Sequence, residues 1–171
     1  SEGITLPEPI KKGYAFIAWR DKDGNAVTAV DVSAARDMTL YAEFSLINYT
    51  ITYELSEGIN SADNPASYTV ETPTFSLADP ERENYIFKGW LAGEQTQPQY
   101  APVIEQGTVG NLTFTAVWER ETHRLIVDGE KVAVLPTGSS YLLTVPKKEG
   151  ATFMGWSDAN GNPIIGAQDY L

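Results

Sequence analysis

The chain has 171 residues, a formal net charge of -11, 42% hydrophobic and 11% aromatic side chains, and no cysteine. That hydrophobic content supports packed cores and excludes a disordered linker; the lack of thiols excludes disulfides and thiolate metal sites and leaves the compartment open. Residues 46–119 carry ten acidic and two basic side chains, Arg82 and Lys88, which excludes nucleic acid and anionic lipid as partners, because both require a basic face.

No apolar run reaches the roughly 18 residues of a membrane span, so direct membrane insertion is not expected. In chain order, Ile4-Thr5-Leu6 reads as a short strand ending at Pro7-Glu8-Pro9, and Lys11-Lys12-Gly13 turns into a strand over 14–19. Phe16 and Trp19 have opposite parity on that strand, which requires two covered faces or a bulge near Ala18. Asp21-Lys22-Asp23-Gly24-Asn25 is a turn, and 37–44 is a closing strand with Met38, Leu40, Ala42 and Phe44 on one side. The link 45–48 contains neither Gly nor Pro, so it is expected to hold its neighbours stiffly.

Tyr49 to Leu55 alternates cleanly, with Tyr49, Ile51, Tyr53 and Leu55 on one face. A polar loop follows over 56–66, then short strands at 67–70 and 74–77, a Pro80 turn and a strand ending at Trp90. Val103-Ile104 begins another short element, and Leu112, Phe114, Ala116 and Trp118 match Met38, Leu40, Ala42 and Phe44 one for one. After the link 119–122, residues 123–134 form a hairpin around Asp128-Gly129. Tyr141 to Val145, a Pro146 turn and 151–156 follow, and Asp158 to Asn162 repeats the turn at Asp21 to Asn25. Helix is confined to a possible turn or two at 29–36 and 102–106.

A repeat underlies this order. Pro9, Pro80 and Pro146 are each followed after four positions by a residue suited to positive φ (Gly13, Asn84, Gly150), after seven by Phe16, Phe87 or Phe153, and after ten by Trp19, Trp90 or Trp156. Those nine Pro, Phe and Trp residues are expected in the core. The spacing defines a small domain of about 70 residues repeated along the chain. The expected division is 1–45, the second part of one repeat; 46–119, a complete repeat; and 120–171, a third lacking its closing strand. A chain that starts within a repeat reads as a fragment.

The order Tyr53-Glu54-Leu55, Asn64 to Val70, Asp79 to Trp90 and Gly110 to Trp118 resembles the Listeria-Bacteroides repeat, the family that includes the B-repeat of internalin. Three positions depart from the pattern: Asn84 stands for the usual Gly, Ala151 for the aromatic at Tyr14 and Tyr85, and Ala18 for Gly89 and Gly155. The resemblance implies mainly β, β-grasp-like, ubiquitin-related domains in an elongated tandem array. It further implies a secreted or cell-surface bacterial protein, with the repeats acting as stalk, adhesion or interaction modules and carrying no catalytic residues or cofactors. Partners on that reading are neighbouring repeats and a host or envelope protein or glycan.

Other chemistry is thin. Asp21 to Asn25 and Asp158 to Asn162 stack oxygen donors, yet lack the Gly and Glu of a helix-loop-helix calcium loop, and read as turns in which Gly and Asn take positive φ. Leu135-Pro136-Thr137-Gly138 resembles a sorting motif but lacks its intervening residue. His123 is the only imidazole and sits at a junction, while Glu81 and Glu83 read as solvated charges. Asn48-Tyr49-Thr50 and Asn111-Leu112-Thr113 fit a glycosylation acceptor pattern that arises often by chance. The alternative to a spacer is a carbohydrate-binding module using exposed aromatics, for which Tyr68, Tyr100 and Tyr141 are the candidate contacts.

Overall fold

The structure is a computed structural model that describes residues 4–30 and 37–164. All described regular structure is β. In order the strands are β1 (Ile4–Thr5), β2 (Tyr14–Arg20), β3 (Ala26–Val27), β4 (Ala29–Val30), β5 (Tyr41–Leu46), β6 (Tyr49–Glu54), β7 (Ser67–Tyr68), β8 (Phe75–Ser76), β9 (Tyr85–Ala92), β10 (Val103–Ile104), β11 (Leu112–Arg120), β12 (Thr122–Val127) and β13 (Glu130–Pro136). The helical turns expected at 29–36 and 102–106 are replaced by β4 and β10 where described; 31–36 lie outside the described residues. Both apolar pairs find a partner strand, β4 with β1 and β10 with β8, which outweighs so weak a helical pattern.

Two compact units emerge, residues 1–81 with 88–117, and residues 82–87 with 118–171. In the first, β2 sits between β3 and β5 in a three-stranded antiparallel sheet. The register slips between Phe16 and Ala18, so Ile17 is the extra residue of a bulge. That bulge returns Trp19 to the face of Phe16, and the two rings meet edge-on at 5.8 Å. In the matching position of β9, Gly89 adopts φ +119° and a Cβ there would lie 3.0 Å from the Gln99 backbone. The closing strand β5 begins at Tyr41, three residues later than the alternation at Met38 suggests.

The principal sheet has the order β7-β6-β11-β9, with β11 parallel to β6 and β7 antiparallel to it. Its first and last strands are therefore central neighbours, so the fold cannot close until both ends of residues 49–117 are present. Ile51, Tyr68, Leu77, Trp90, Ile104, Phe114 and Ala116 are buried beneath it. Trp90 is 1% exposed, with the rings of Tyr53 and Phe114 at 5.6 and 6.3 Å. Burial raises the Tyr53 phenol to about 12, and its hydroxyl donates to Pro65 O at 2.8 Å.

In the second unit, β12 and β13 form a two-residue hairpin in which Asp128 (φ 50°) and Gly129 (φ 84°) both take the left-handed region. This is the primed turn expected of Asp-Gly, whose twist suits the flanking strands. Leaving Val132 out of register relieves the pairing between Leu125 and Ile126. Residues 151–156, expected as the third signature strand, carry no strand pairing, and neither do 141–145.

Candidate functional site

The residue four places after each signature Pro does have positive φ: Gly13 at 79°, Asn84 at 63° and Gly150 at 70°. All three turns share one closing hydrogen bond, Tyr14 N to Lys11 O at 3.0 Å, Tyr85 N to Arg82 O at 3.2 Å and Ala151 N to Lys148 O at 3.2 Å. The turn is more than a corner. Gly13 O accepts from Ile47 N at 3.0 Å, and Asn84 O accepts from Glu121 N at 3.0 Å, two donors that lie nine residues after Met38 and Leu112 respectively. The Gly13 and Asn84 turns therefore each fasten the link that leaves their own closing strand.

At the first of these joints the following repeat is held directly. Gly13 is buried, and a Cβ on it would fall 2.0 Å from Val70 Cγ1, so backbone and Val side chain are already in contact. Tyr14 hydroxyl donates a short hydrogen bond to Glu71 Oε1. That bond first, then desolvation and the Glu71 charge, raises the Tyr14 pKa. Lys11 Nζ lies 3.6 Å above the Tyr14 ring and 5.6 Å above Phe44, and Tyr14 meets Phe44 edge-on at 6.4 Å. A cation over an aromatic face, an acid on the phenol and a glycine against a valine form one cluster. In the second unit Arg82 Cζ stands 3.8 Å over Tyr85 in the same way; Ala151 removes the ring from the third turn.

The nine signature residues occupy different depths. Pro80 and Trp90 are buried, Pro9, Phe16, Trp19, Phe87, Phe153 and Trp156 are half-buried, and Pro146 is exposed. Trp19 Nε1 donates to Pro7 O at 3.0 Å, and Trp90 Nε1 to Ala78 O at 3.3 Å, in each case the carbonyl two residues before the signature Pro. Sequence reading missed Asn64, which is buried and ties the polar loop to the same place: its amide donates to Ala78 O at 3.0 Å and its carbonyl accepts from Ala78 N at 2.8 Å. An Asn directly before Pro65 within a polar loop gave no sign of burial.

Tyr68 overturns the exposure expected of it. It is 3% exposed, donates its hydroxyl to Gly110 O and lies 5.6 Å from Tyr49, because β7 turns its second residue inward. Tyr100 and Tyr141 are 59% and 42% exposed. Asp21 and Asp158 are engaged by their own turns: Oδ1 of each accepts two backbone N–H groups at 2.9 Å, from Asp23 and Asn25 and from Asn160 and Asn162. Gly24 and Gly161 take positive φ as expected, whereas Asn25 and Asn162 do not; those side chains instead donate to the Asp carboxylates. His123 Nε2 is 2.8 Å from Thr137 Oγ1, which places the only imidazole in the β12–β13 hairpin. No group of three or more His, Asp or Glu side chains is placed to hold a metal ion among the described residues.

These hydrogen bonds hold both carboxyls below the usual value of 3.8, chiefly through the Asn25 backbone for Asp21 and the Asn162 side chain for Asp158. A depressed folded value means stability that is present above pH 3.8 and lost as pH falls through the lower folded value. A carboxyl-detected NMR titration is expected to show both residues titrating below 3.8, with the turn amides of Asn25 and Asn162 moving in step.

The sequence profile of the Listeria-Bacteroides repeat domain matches residues 1–43 and 49–117. The chain belongs to this family. It is 29% identical over 111 residues to internalin H of Listeria monocytogenes, covering 63% of this chain and 20% of that protein. Two proteins of Evansella cellulosilytica are also similar. One, provisionally named a membrane protein, is 28% identical over 98% of this chain and 28% of its own length. The other, provisionally named a Gly-rich membrane protein, is 29% identical over 86% of this chain and 18% of its own. The chain thus spans less than a third of these relatives. No solved structure matches it.

Proposed function

We propose that the chain is a non-enzymatic repeat module of a bacterial cell-surface or secreted protein, acting as a stalk or protein-interaction spacer. The observation that carries this reading is the joint. Gly13 and Tyr14 on one side and Ile47, Val70 and Glu71 on the other spend their backbone and side-chain chemistry on holding one repeat to the next. Membership of the repeat family and similarity to internalin H support a surface location. Among the described residues no helix is long and apolar enough to cross a membrane. The parallel pairing of β6 with β11 at the centre of a mixed sheet supports β-grasp-like repeats, with 1–45, 46–119 and 120–171 as the successive copies.

Residual dipolar couplings measured separately over 4–46 and 49–117 test the spacer. One shared alignment tensor is the expected result; two independent tensors would mean a flexible joint and would remove the physical basis for a spacer. Exposure of Tyr100 and Tyr141 keeps glycan recognition as the second reading. A glycan array run on the native chain and on Tyr100→Ala and Tyr141→Ala variants decides it, since binding lost in either variant would favour a carbohydrate module.

A further inference from the structure

The chain enters and leaves the middle repeat at opposite ends of two adjacent strands. It enters β6 at Tyr49 and leaves β11 at Arg120. Because the two strands are parallel, with Leu112, Thr113, Phe114 and Thr115 opposite Ile51, Thr52, Tyr53 and Glu54, tension along the polypeptide draws β6 toward its start and β11 toward its end. The ladder hydrogen bonds run from strand to strand, so sliding of this kind strains all of them together. An antiparallel hairpin such as β12 with β13, pulled at its open end where Thr122 faces Pro136, loses its bonds a pair at a time.

Side chains pin both ends of this ladder. At one end Asn111 Oδ1 accepts from Thr50 N at 3.0 Å, and at the other Thr115 Oγ1 donates to Glu54 Oε2 at 2.8 Å. Between them Ile51 and Phe114 are buried, which shields the backbone bonds beside them from competition with water. Each strand also has a neighbour on its outer side, β7 beside β6 and β9 beside β11. Tyr68 of β7 donates its hydroxyl to Gly110 O, just before β11. We propose that β6 and β11 form a shear clamp and that the middle repeat bears tensile load passed along the chain. This deepens the spacer reading and rests on it, since a spacer is loaded through its two ends. The clamp itself lies within one repeat and does not depend on how stiff the joint is.

Single-molecule pulling on the whole chain tests this. The sequence has no cysteine, so thiols introduced at exposed positions give unique handles. Asn48→Cys with Glu119→Cys loads the pair in shear. Asn48→Cys with Val109→Cys pulls the near ends of both strands apart, because Val109 continues the register opposite Asn48. At one constant force the first geometry is expected to hold at least about tenfold longer than the second, since two or more hydrogen bonds must break together instead of singly. Removing one pin by Thr115→Val should shorten the shear lifetime about two- to tenfold and leave the second geometry unchanged. Urea unfolding of every variant, matched to the native chain, keeps a folding defect from passing for a weak clamp. Equal lifetimes in the two geometries would overturn the proposal, and so would a Thr115→Val effect of the same size in both. A short shear lifetime with one shared alignment tensor would remove the clamp and leave the spacer; a long one with two tensors would do the reverse.

Discussion

Replacing Trp90 by Ala is expected to destabilise the chain by about 3–5 kcal/mol, the range for emptying a large aromatic site in a packed core. Trp90 lies at the centre of the best-buried region, against Tyr53 and Phe114, and its backbone exchanges two hydrogen bonds of 2.8 Å with Gln99. The indole also donates to Ala78 O, the carbonyl that receives Asn64. Truncation therefore removes ring packing and one anchor of the 56–66 loop together. A domain of this size has a total stability of only about 5–15 kcal/mol, so the loss is a large fraction of it. Urea unfolding followed by the exchange of Ile51 and Phe114 amides checks this. The same change at Trp156, half-buried and without a partner for its indole, should cost much less. Equal losses at the two sites would show that the surroundings of Trp156 are packed as tightly as those of Trp90.

Gly13→Ala carries the second large effect, about 2–5 kcal/mol, from left-handed strain of roughly 1–2 and overpacking of roughly 1–3. The two contributions separate. Backbone strain at φ +79° is indifferent to the next repeat, whereas the added Cβ would fall 2.0 Å from Val70 Cγ1, a clash across the joint. Combining Gly13→Ala with Val70→Ala should recover the second part only, giving a coupling of about 0.5–3 kcal/mol. Thermal unfolding of the four chains measures it. Additive losses would mean that the valine moves aside freely and that the joint is not held at this point. At Asn84, the same position one repeat later, a change to Gly should be nearly neutral, because Asn is among the side chains that tolerate the left-handed region.

Much of the β architecture was legible because it rests on local alternation and on turn residues. Ile51 buried between exposed Thr50 and Thr52, the Asp128-Gly129 hairpin and the positive φ of Gly13, Asn84 and Gly150 all follow from period two and from steric rules acting over a few residues. The offset between Phe16 and Trp19 called for either two covered faces or a bulge near Ala18, and the register slip at Ile17 selects the bulge. Tyr68 was misread for the opposite reason. A two-residue strand has too little pattern to show which side faces inward, and only its pairing with Tyr49 decides that.

The sequence by itself determined the signature spacing, most of the longer strands and the membership of the family, since spacing, parity and turn chemistry are properties of neighbouring residues. Only the tertiary structure decided which residues make the joint and which indole finds a hydrogen-bond partner. Val70 and Glu71 lie 57 residues from Gly13 and Tyr14 respectively, and Trp156 differs from Trp19 and Trp90 not in its motif but in what surrounds its indole. Contacts of that range depend on how strands are brought together across a sheet, and no local pattern encodes them.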